Sequence, residues 1–359
     1  MVSPPTRTPW WAWAWPLLAA VFLIIHLFIH AGGPFLVFET FALIAAVFAA
    51  VYHAEVIAHR VGEPFGSLVL AMAVTIIEVA LIVSVMISGG VDTAALPRDT
   101  VFAVVMIVCN GIVGLCLLAG GLRHHEQGFQ LQGANAALSV LIALTCLTLV
   151  VPNVTISSAG PTFTNSQLLF AAVVSLILYG SFVFVQTVRH RDYFLPKEDE
   201  EEHAAAPSTH TTLASSGLLL VSLVAVVGLA KALTPPLEQG IAHVGAPKSI
   251  VGIVIAGLVL LPEGVASFRA ARANRLQTSM NLALGSALAT IGLTIPAVAA
   301  VSVLLHKPLS LGLMPKEIVL LVVTLIISLV TLGTGRTTVL QGIVHLVIFA
   351  AFLFLAIVP

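Results

Sequence analysis

Two glutamates stand where carboxylates are costly. Glu78 lies inside the apolar run 65–89 and Glu263 inside the run 248–268. A carboxylate near the centre of a bilayer costs roughly 2.5–3.5 kcal/mol on insertion scales, so such residues usually mark ion or proton sites. No Lys or Arg falls inside the runs 65–89, 100–122 and 280–304 or in the interior of 248–268 to pair with either acid. A protonated carboxyl hydrogen-bonded within a helix bundle is the structural alternative. Small polar residues accompany the acids. Thr75 precedes Glu78 by three residues and shares its helical face. Asn110 follows the first acid, and Asn281, Ser286 and Thr290 follow the second. Two carboxylates with amide and hydroxyl oxygens suit a hard cation such as Ca²⁺, which takes six to eight oxygen ligands. Glu78 and Glu263 are therefore the candidate cation and proton ligands, with Thr75, Asn110, Asn281, Ser286 and Thr290 as auxiliary candidates. Pro262 and Gly264 flank Glu263. A helix broken there would free backbone carbonyls for a cation; a kink with no ligand role is the alternative.

These residues need apolar helices to hold them. The chain has 359 residues, 59% of them hydrophobic and 9% charged, and a mean hydropathy of +1.09. Soluble domains carry about 25% charged residues, and a surface this poor in charge is solvated by lipid. Eleven apolar stretches run near 10–31, 34–57, 65–89, 100–122, 133–152, 166–188, 213–233, 248–268, 280–304, 316–333 and 338–358. Each has about the 20 residues that cross a hydrocarbon core as a helix. They are too long and too little alternating for a β-barrel. Gly89-Gly90, Gly120-Gly121 and Pro235-Pro236 are expected to mark helix ends. The first stretch is too long for a signal-peptide core, and Trp10, Trp11, Trp13 and Trp15 form an interfacial belt at its start. Cys109, Cys116 and Cys146 sit in apolar runs, form no CxxC pair, and are read as packing residues. The net charge of −1 gives no basic field for nucleic acid.

An inner N-terminus puts Arg7, Arg60, Arg123, Arg189, Arg191, Lys197, Arg269, Arg272, Arg275 and Arg336 on the cytoplasmic side, against Arg98, Lys231, Lys248, Lys307 and Lys316 outside. This bias predicts a cytoplasmic N-terminus and an external C-terminus in the cell's inner membrane. The fold class expected is an all-α polytopic membrane protein of about eleven transmembrane helices: one extra N-terminal helix (1–33), a first five-helix repeat (34–188), an acidic cytoplasmic linker (189–212) and a second five-helix repeat (213–359). Five is odd, so the second repeat enters the membrane from the opposite side. Glu78 lies fifteen residues from inner-side Glu63, and Glu263 fifteen from outer-side Lys248. At 1.5 Å per residue both acids are about 22 Å from those markers, toward mid-membrane. That is the layout of an inverted-repeat transporter with its site at the repeat interface.

Other polar groups have competing readings. His53, Glu55, His59 and Glu63, with Arg60, form either a proton-access or gating cluster or an interfacial collar. Glu198, Asp199, Glu200, Glu201 and Glu202 form either a solvated tether or a cation-sensing regulatory segment. Arg336 is a loop cation or reaches into the bundle. His26, His30 and His345, near span ends, read as satisfied polar residues. Two rival functions stand. A passive channel can also use carboxylates, without needing inverted repeats. An intramembrane metalloenzyme would need clustered histidines such as HExxH, whereas His53 and His59 are six apart. No GxxxxGK[ST] is present, so a proton gradient rather than ATP is the expected driver.

The segments His59-Arg-Val-Gly-Glu-Pro-Phe-Gly-Ser67, Ile77-Glu-Val79, Pro262-Glu-Gly264, Met280-Asn-Leu282, Gly285-Ser-Ala-Leu-Ala-Thr-Ile291 and Thr334-Gly-Arg-Thr337 together resemble bacterial calcium(sodium)/proton antiporters of the ChaA type, in the calcium/cation antiporter superfamily. The resemblance implies ten core helices in two inverted repeats after one extra helix. It implies that Glu78 and Glu263 are the paired cation- and proton-binding carboxylates, that Asn110 matches the polar position after the first acid, and that Ser286 matches the Gly-Ser position after the second. The wider superfamily often has Gly-Asn-Ala-x-Glu around each acid, where this chain has Thr75-Ile-Ile-Glu78 and Leu260-Leu-Pro-Glu263. The expected activity is secondary active export of Ca²⁺, with Na⁺ or K⁺ as alternatives, in exchange for H⁺ by alternating access. The expected partners are inorganic cations, protons and the bilayer; no nucleic acid, ATP or resident cofactor is expected.

Overall fold

The computed structural model describes residues 8–29, 33–62, 65–88, 94–195, 207–243, 245, 247 and 249–358. It is almost entirely helical. Among the described residues, ten helical segments are long and apolar enough to cross a membrane, and a shorter apolar stretch, Ala71–Ile87, lies in a further helix. The chain divides into two compact units. The smaller comprises Met1–Ile87 with Asp199–His243; the larger comprises Ser88–Glu198 with Val244–Pro359. The units cut across the repeats in sequence, because each unit draws helices from both.

The smaller unit holds α1 (Trp10–Ile29), α2 (Pro34–Val61), α3 (Phe65–Ser88) and α8 (Thr209–His243). Helices α1 and α2 are antiparallel and joined by two polar hooks. Near one end His26 Nδ1 lies 2.7 Å from Oε1 of fully buried Glu39. Near the other, His53 Nε2 donates to the Ala12 carbonyl at 2.8 Å. Trp11 packs on Trp15 and Tyr52, with ring centroids 4.8 and 5.0 Å apart. Gly228 lets α8 close on α1, since a Cβ there would lie 2.6 Å from Leu23 Cδ1. Arg60, at the end of α2, donates to the Pro207 carbonyl and to Thr209 Oγ1 at the start of α8. The first helices of the two repeats therefore run in opposite directions. Pro235 and Pro236 do not end α8, which continues to His243; isolated losses of a ladder bond are tolerated in membrane helices.

In the larger unit, α4 (Leu96–Met106), a π-helical segment Ile107–Ile112 and α5 (Val113–His124) form one span. The next spans are α6 (Leu131–Thr145) with its π and 3₁₀ extensions to Asn153, α7 (Asn165–Phe184), α9 (Ser249–Arg272), and α10 (Leu276–Ala289) continued through a second π segment, Thr290–Thr294, into α11 (Ile295–Leu305). The last are α12 (Pro315–Leu332) and α13 (Val339–Ile357).

The loops of this unit sort into two ends. At one, Arg98 Nη1 donates to the Gly312 carbonyl at 3.1 Å, Gly312 N to Pro161 O at 3.0 Å, and Leu313 N to Leu149 O at 2.9 Å. At the other, β1 (Gln127–Gly128) pairs antiparallel with β2 (Arg336–Thr337), and Gln127 Nε2 donates to Ala271 O and Asn274 Oδ1 at 2.9 and 3.0 Å. The span α4–α5 runs from the first end to the second, and α10–α11 runs back. The third helices of the two repeats are therefore inverted, as five-helix repeats require. The packing is exchanged between repeats as well. The last helix of the second repeat, α13, crosses the first π segment, and the last helix of the first, α7, crosses the second.

Glycines make these crossings close, as in other membrane bundles. A Cβ at Gly111 would sit 3.3 Å from the Phe349 ring, and one at Gly121 would sit 2.8 Å from Val339 N. Gly121 thus serves this crossing and Gly120 makes room for the Gln127 side chain, while α5 runs on to His124. Pro296 explains the second π segment: it lacks the amide that Gly292 O would receive in an α-helix.

Candidate functional site

Each glutamate sits near the middle of the second helix of its repeat. In the smaller unit, Glu78 is 1% exposed on α3, thirteen residues from Phe65, and Thr75 is buried one turn before it. In the larger unit, Glu263 is 8% exposed on α9, fourteen residues from Ser249. Helix α9 runs unbroken through Pro262 and Gly264, so the broken helix expected there does not form. Besides the π turns Cys146–Val150 and Val185–Arg189 that extend α6 and α7, departures from α-geometry lie at mid-span in the third helix of each repeat.

The π segments carry two of the auxiliary candidates. Asn110 is in the first, fourteen residues into a span of 29, and Thr290 opens the second, fourteen residues into a span of 30. A π segment shifts the register of the backbone ladder and is frequent at functional sites. Helix α9 crosses the first one: a Cβ on Gly257 would meet Ile107, and one on Gly264 would meet Ile112 at 3.4 Å. Glu263 therefore belongs to the helix turn beside the segment that holds Asn110.

Asn110 is fully buried and bonded at both ends of its amide. Nδ2 donates to Thr324 Oγ1 at 2.9 Å, and Oδ1 lies 3.1 Å from His345 Nδ1. His345 Nε2 lies 3.1 Å from Thr331 Oγ1. Sequence reading missed this chain, because Asn110 and His345 are 235 residues apart. One signal was present. Thr324, Ser328 and Thr331 follow 4 and 3 residue steps, put hydroxyls on one face of α12, and are all buried.

The other candidates are more dispersed. Asn281 donates to the Phe194 carbonyl at 2.6 Å and accepts from Gln277 Nε2 at 2.9 Å, so it fastens the segment after α7 to α10. Gly133 leaves room for that segment, whose Tyr193 carbonyl occupies the space of a Cβ. Ser286 is half-buried on α10. His53 is buried against α1, whereas Glu55 is exposed and His59 half-exposed on α2, so these three do not converge. Glu63 and the acidic run Glu198, Asp199, Glu200, Glu201 and Glu202 lie outside the described residues. Arg336 is a loop cation, exposed on β2 and paired with Glu126 at 3.1 Å.

Comparison with known proteins decides the family. The family described as sodium/calcium exchanger protein matches residues 33–188 and 214–358, the two repeats. The chain belongs to the sodium/calcium exchanger family. It is 51% identical to y4hA of Sinorhizobium fredii (strain NBRC 101917 / NGR234) over 360 residues, covering 98% of this chain and 97% of that one. It is 37% identical to the sodium-potassium/proton antiporter ChaA of Escherichia coli (strain K12) over 317 residues, covering 87% and 85%. The solved structure of native YfkE shares the fold, with a TM-score of 0.76 over 97% of this chain and 100% of that one at 16% identity. Members of this exchanger family are transporters, so the metalloenzyme reading falls. This exchanger is a multi-span membrane antiporter of the calcium/cation superfamily, and the passive-channel reading gives way to exchange.

Proposed function

We propose that the protein exports a cation from the cytoplasm in exchange for protons, using Glu78 and Glu263 as the shared cation and proton ligands. The observation that carries this reading is the matched placement of the two acids. Each is buried at mid-helix in the second helix of its repeat, and each is followed by a span opened at its centre by a π segment bearing Asn110 or Thr290. Two carboxylates bind one divalent cation or two protons with the same charge balance. An occupied site is neutral and mobile, whereas the empty, doubly ionised site is costly to move through a low-dielectric interior.

In this reading Thr75, Asn110 and Thr290 complete the oxygen set, with Ser286 as a more peripheral donor. Asn281 has a latching role, because both ends of its amide are engaged with Phe194 and Gln277. The N-terminus is cytoplasmic and the C-terminus external in the plasma membrane, following the basic-residue bias. The exchange needs no ATP and no resident cofactor.

Ca²⁺ is the cation that the paired acids suit best. Monovalent exchange is the second reading, favoured by the 37% identity to a sodium-potassium/proton antiporter. Purified protein in proteoliposomes distinguishes them. An inward-acid gradient should drive uphill uptake of the transported ion, tested with Ca²⁺, Na⁺ and K⁺ each alone. Flux that only runs downhill, or no cation-dependent proton movement with any of the three, would overturn the proposal.

A further inference from the structure

The buried chain through Asn110 has a direction that can be read from its chemistry. Thr324 Oγ1 has one proton and lies 2.7 Å from the Leu320 carbonyl, which can only accept. Having given its proton there, the hydroxyl accepts from Asn110 Nδ2 at 2.9 Å. The amide oxygen Oδ1 then faces His345 Nδ1 at 3.1 Å, so Nδ1 carries the proton. In the neutral ring Nε2 is an acceptor, and it takes the Thr331 hydroxyl proton at 3.1 Å. The run is Thr331 to His345 to Asn110 to Thr324 to Leu320, every donor meets an acceptor, and Asn110, His345 and Thr324 are each 0% exposed.

Packing alone does not call for this chain. An apolar side chain at 345 would fill the same space without needing polar partners at Asn110 and Thr331. Gly111 in the π segment and Gly114 at the start of α5 clear the face that α13 approaches: a Cβ at Gly114 would lie 3.1 Å from the His345 Cβ. The chain runs through the one side-chain amide in the π segment beside the Glu263 turn. An amide oxygen has two lone pairs. His345 takes one, which leaves the second for a cation and fixes which end of the amide is presented.

We propose that His345 is a positioning residue of the cation site, acting through Asn110 by holding its amide in one orientation within the π segment. The proposal rests on the reading of Asn110 as an auxiliary cation ligand. It separates His345 from the residues that touch the ion: His345 sets how well the site is formed, and the glutamates carry the charge.

The test is a set of transport titrations in proteoliposomes, with Ca²⁺, Na⁺ and K⁺ each alone as the probe. His345→Leu should raise the cation concentration for half-maximal exchange by about fivefold to tenfold, the size of one lost buried hydrogen bond, with the maximal rate within about twofold. His345→Gln, which can still donate to Oδ1, should recover most of the affinity. Asn110→Ala should weaken affinity by itself, and adding His345→Leu to it should change nothing further. Independent, additive losses would overturn the proposal, as would a His345→Leu protein with unchanged affinity or with only its maximal rate reduced. If His345→Leu fails to fold, Thr331→Val removes the donor behind the ring and should shift affinity the same way by a smaller factor; no shift overturns the proposal. A folded Asn110→Ala protein with wild-type kinetics removes Asn110 from the site. That outcome is distinct from one in which Asn110→Ala is impaired and His345→Leu is not, which removes His345 alone.

Discussion

Gly114 and His345 face each other where α5 and α13 cross, so close that a Cβ on Gly114 would stand 3.1 Å from the His345 Cβ and 3.0 Å from Leu346 Cγ. The absence of a side chain at position 114 is what lets the imidazole reach Asn110. Gly114→Ala should therefore cost about 1–3 kcal/mol, the usual range for overpacking a tight site, and Gly114→Val more. Thermal unfolding in detergent, followed with Gly217→Ala as the control, checks this; Gly217 has open space around its Cα. Equal stability of the two alanine variants would mean that α13 approaches less closely than described.

Exchange requires both acids. Glu78→Gln and Glu263→Gln keep volume and hydrogen-bonding capacity but cannot release a proton. Each should reduce proton-coupled cation flux to background while the purified protein keeps the wild-type gel-filtration profile. Near wild-type transport by either variant would remove that residue from the mechanism.

Sidedness follows from the alternation of spans. In the larger unit, Arg123, Arg189, Arg269, Arg272, Arg275 and Arg336 share the end where β1 and β2 pair, and Arg98, Lys307 and Lys316 share the other. A cysteine at Ala205 should react with an impermeant maleimide only in inverted vesicles, and one at Gln239 only in right-side-out cells. The native Cys109 and Cys116 are buried and give little background. Reversed labelling would overturn the orientation and leave the inverted repeats standing.

Deleting Glu198 to Glu202 should preserve exchange and change its dependence on cytoplasmic cation. The segment follows Phe194, whose buried ring and carbonyl are fastened by Phe182 and Asn281. A folded deletion variant without transport would show the segment to be part of the transport path.

Much of this architecture is legible in the sequence because hydropathy and length alone define membrane helices. The two buried acids are legible for the same reason: lipid makes a mid-helix carboxylate conspicuous. Helix ends were harder. Pro235-Pro236 reads as a stop, yet α8 continues, and Gly120-Gly121 reads as an end, yet α5 runs on to His124 and the pair makes room for Gln127 and for α13. Pro262 reads as a break beside Glu263, yet α9 stays continuous and the register shifts occur at Ile107–Ile112 and Thr290–Thr294. Pro296 foreshadows the second shift, but no proline marks the first. His345 looked like a solitary polar residue because its partners come from α12 and from the opposite repeat, and sequence spacing reports only neighbours on one helix. Asn281 reads as a ligand by its type, and in the fold its amide bonds Phe194 and Gln277, which spacing along the chain does not foretell for Phe194.

The central claim is that cation and protons compete for Glu78 and Glu263. Protonation removes the charge that binds the cation, so apparent cation affinity must fall as pH falls. At saturating cation the maximal rate should change little, because the cation then displaces the protons. The direct measurement is the initial exchange rate against cation concentration at several cis-side pH values, with the trans side held constant. A half-saturating concentration that rises steadily toward acid, with a slope approaching two protons per divalent ion and fewer per monovalent ion, is the predicted result. A half-saturating concentration that stays flat across the same pH range would contradict the shared site and require a separate proton route.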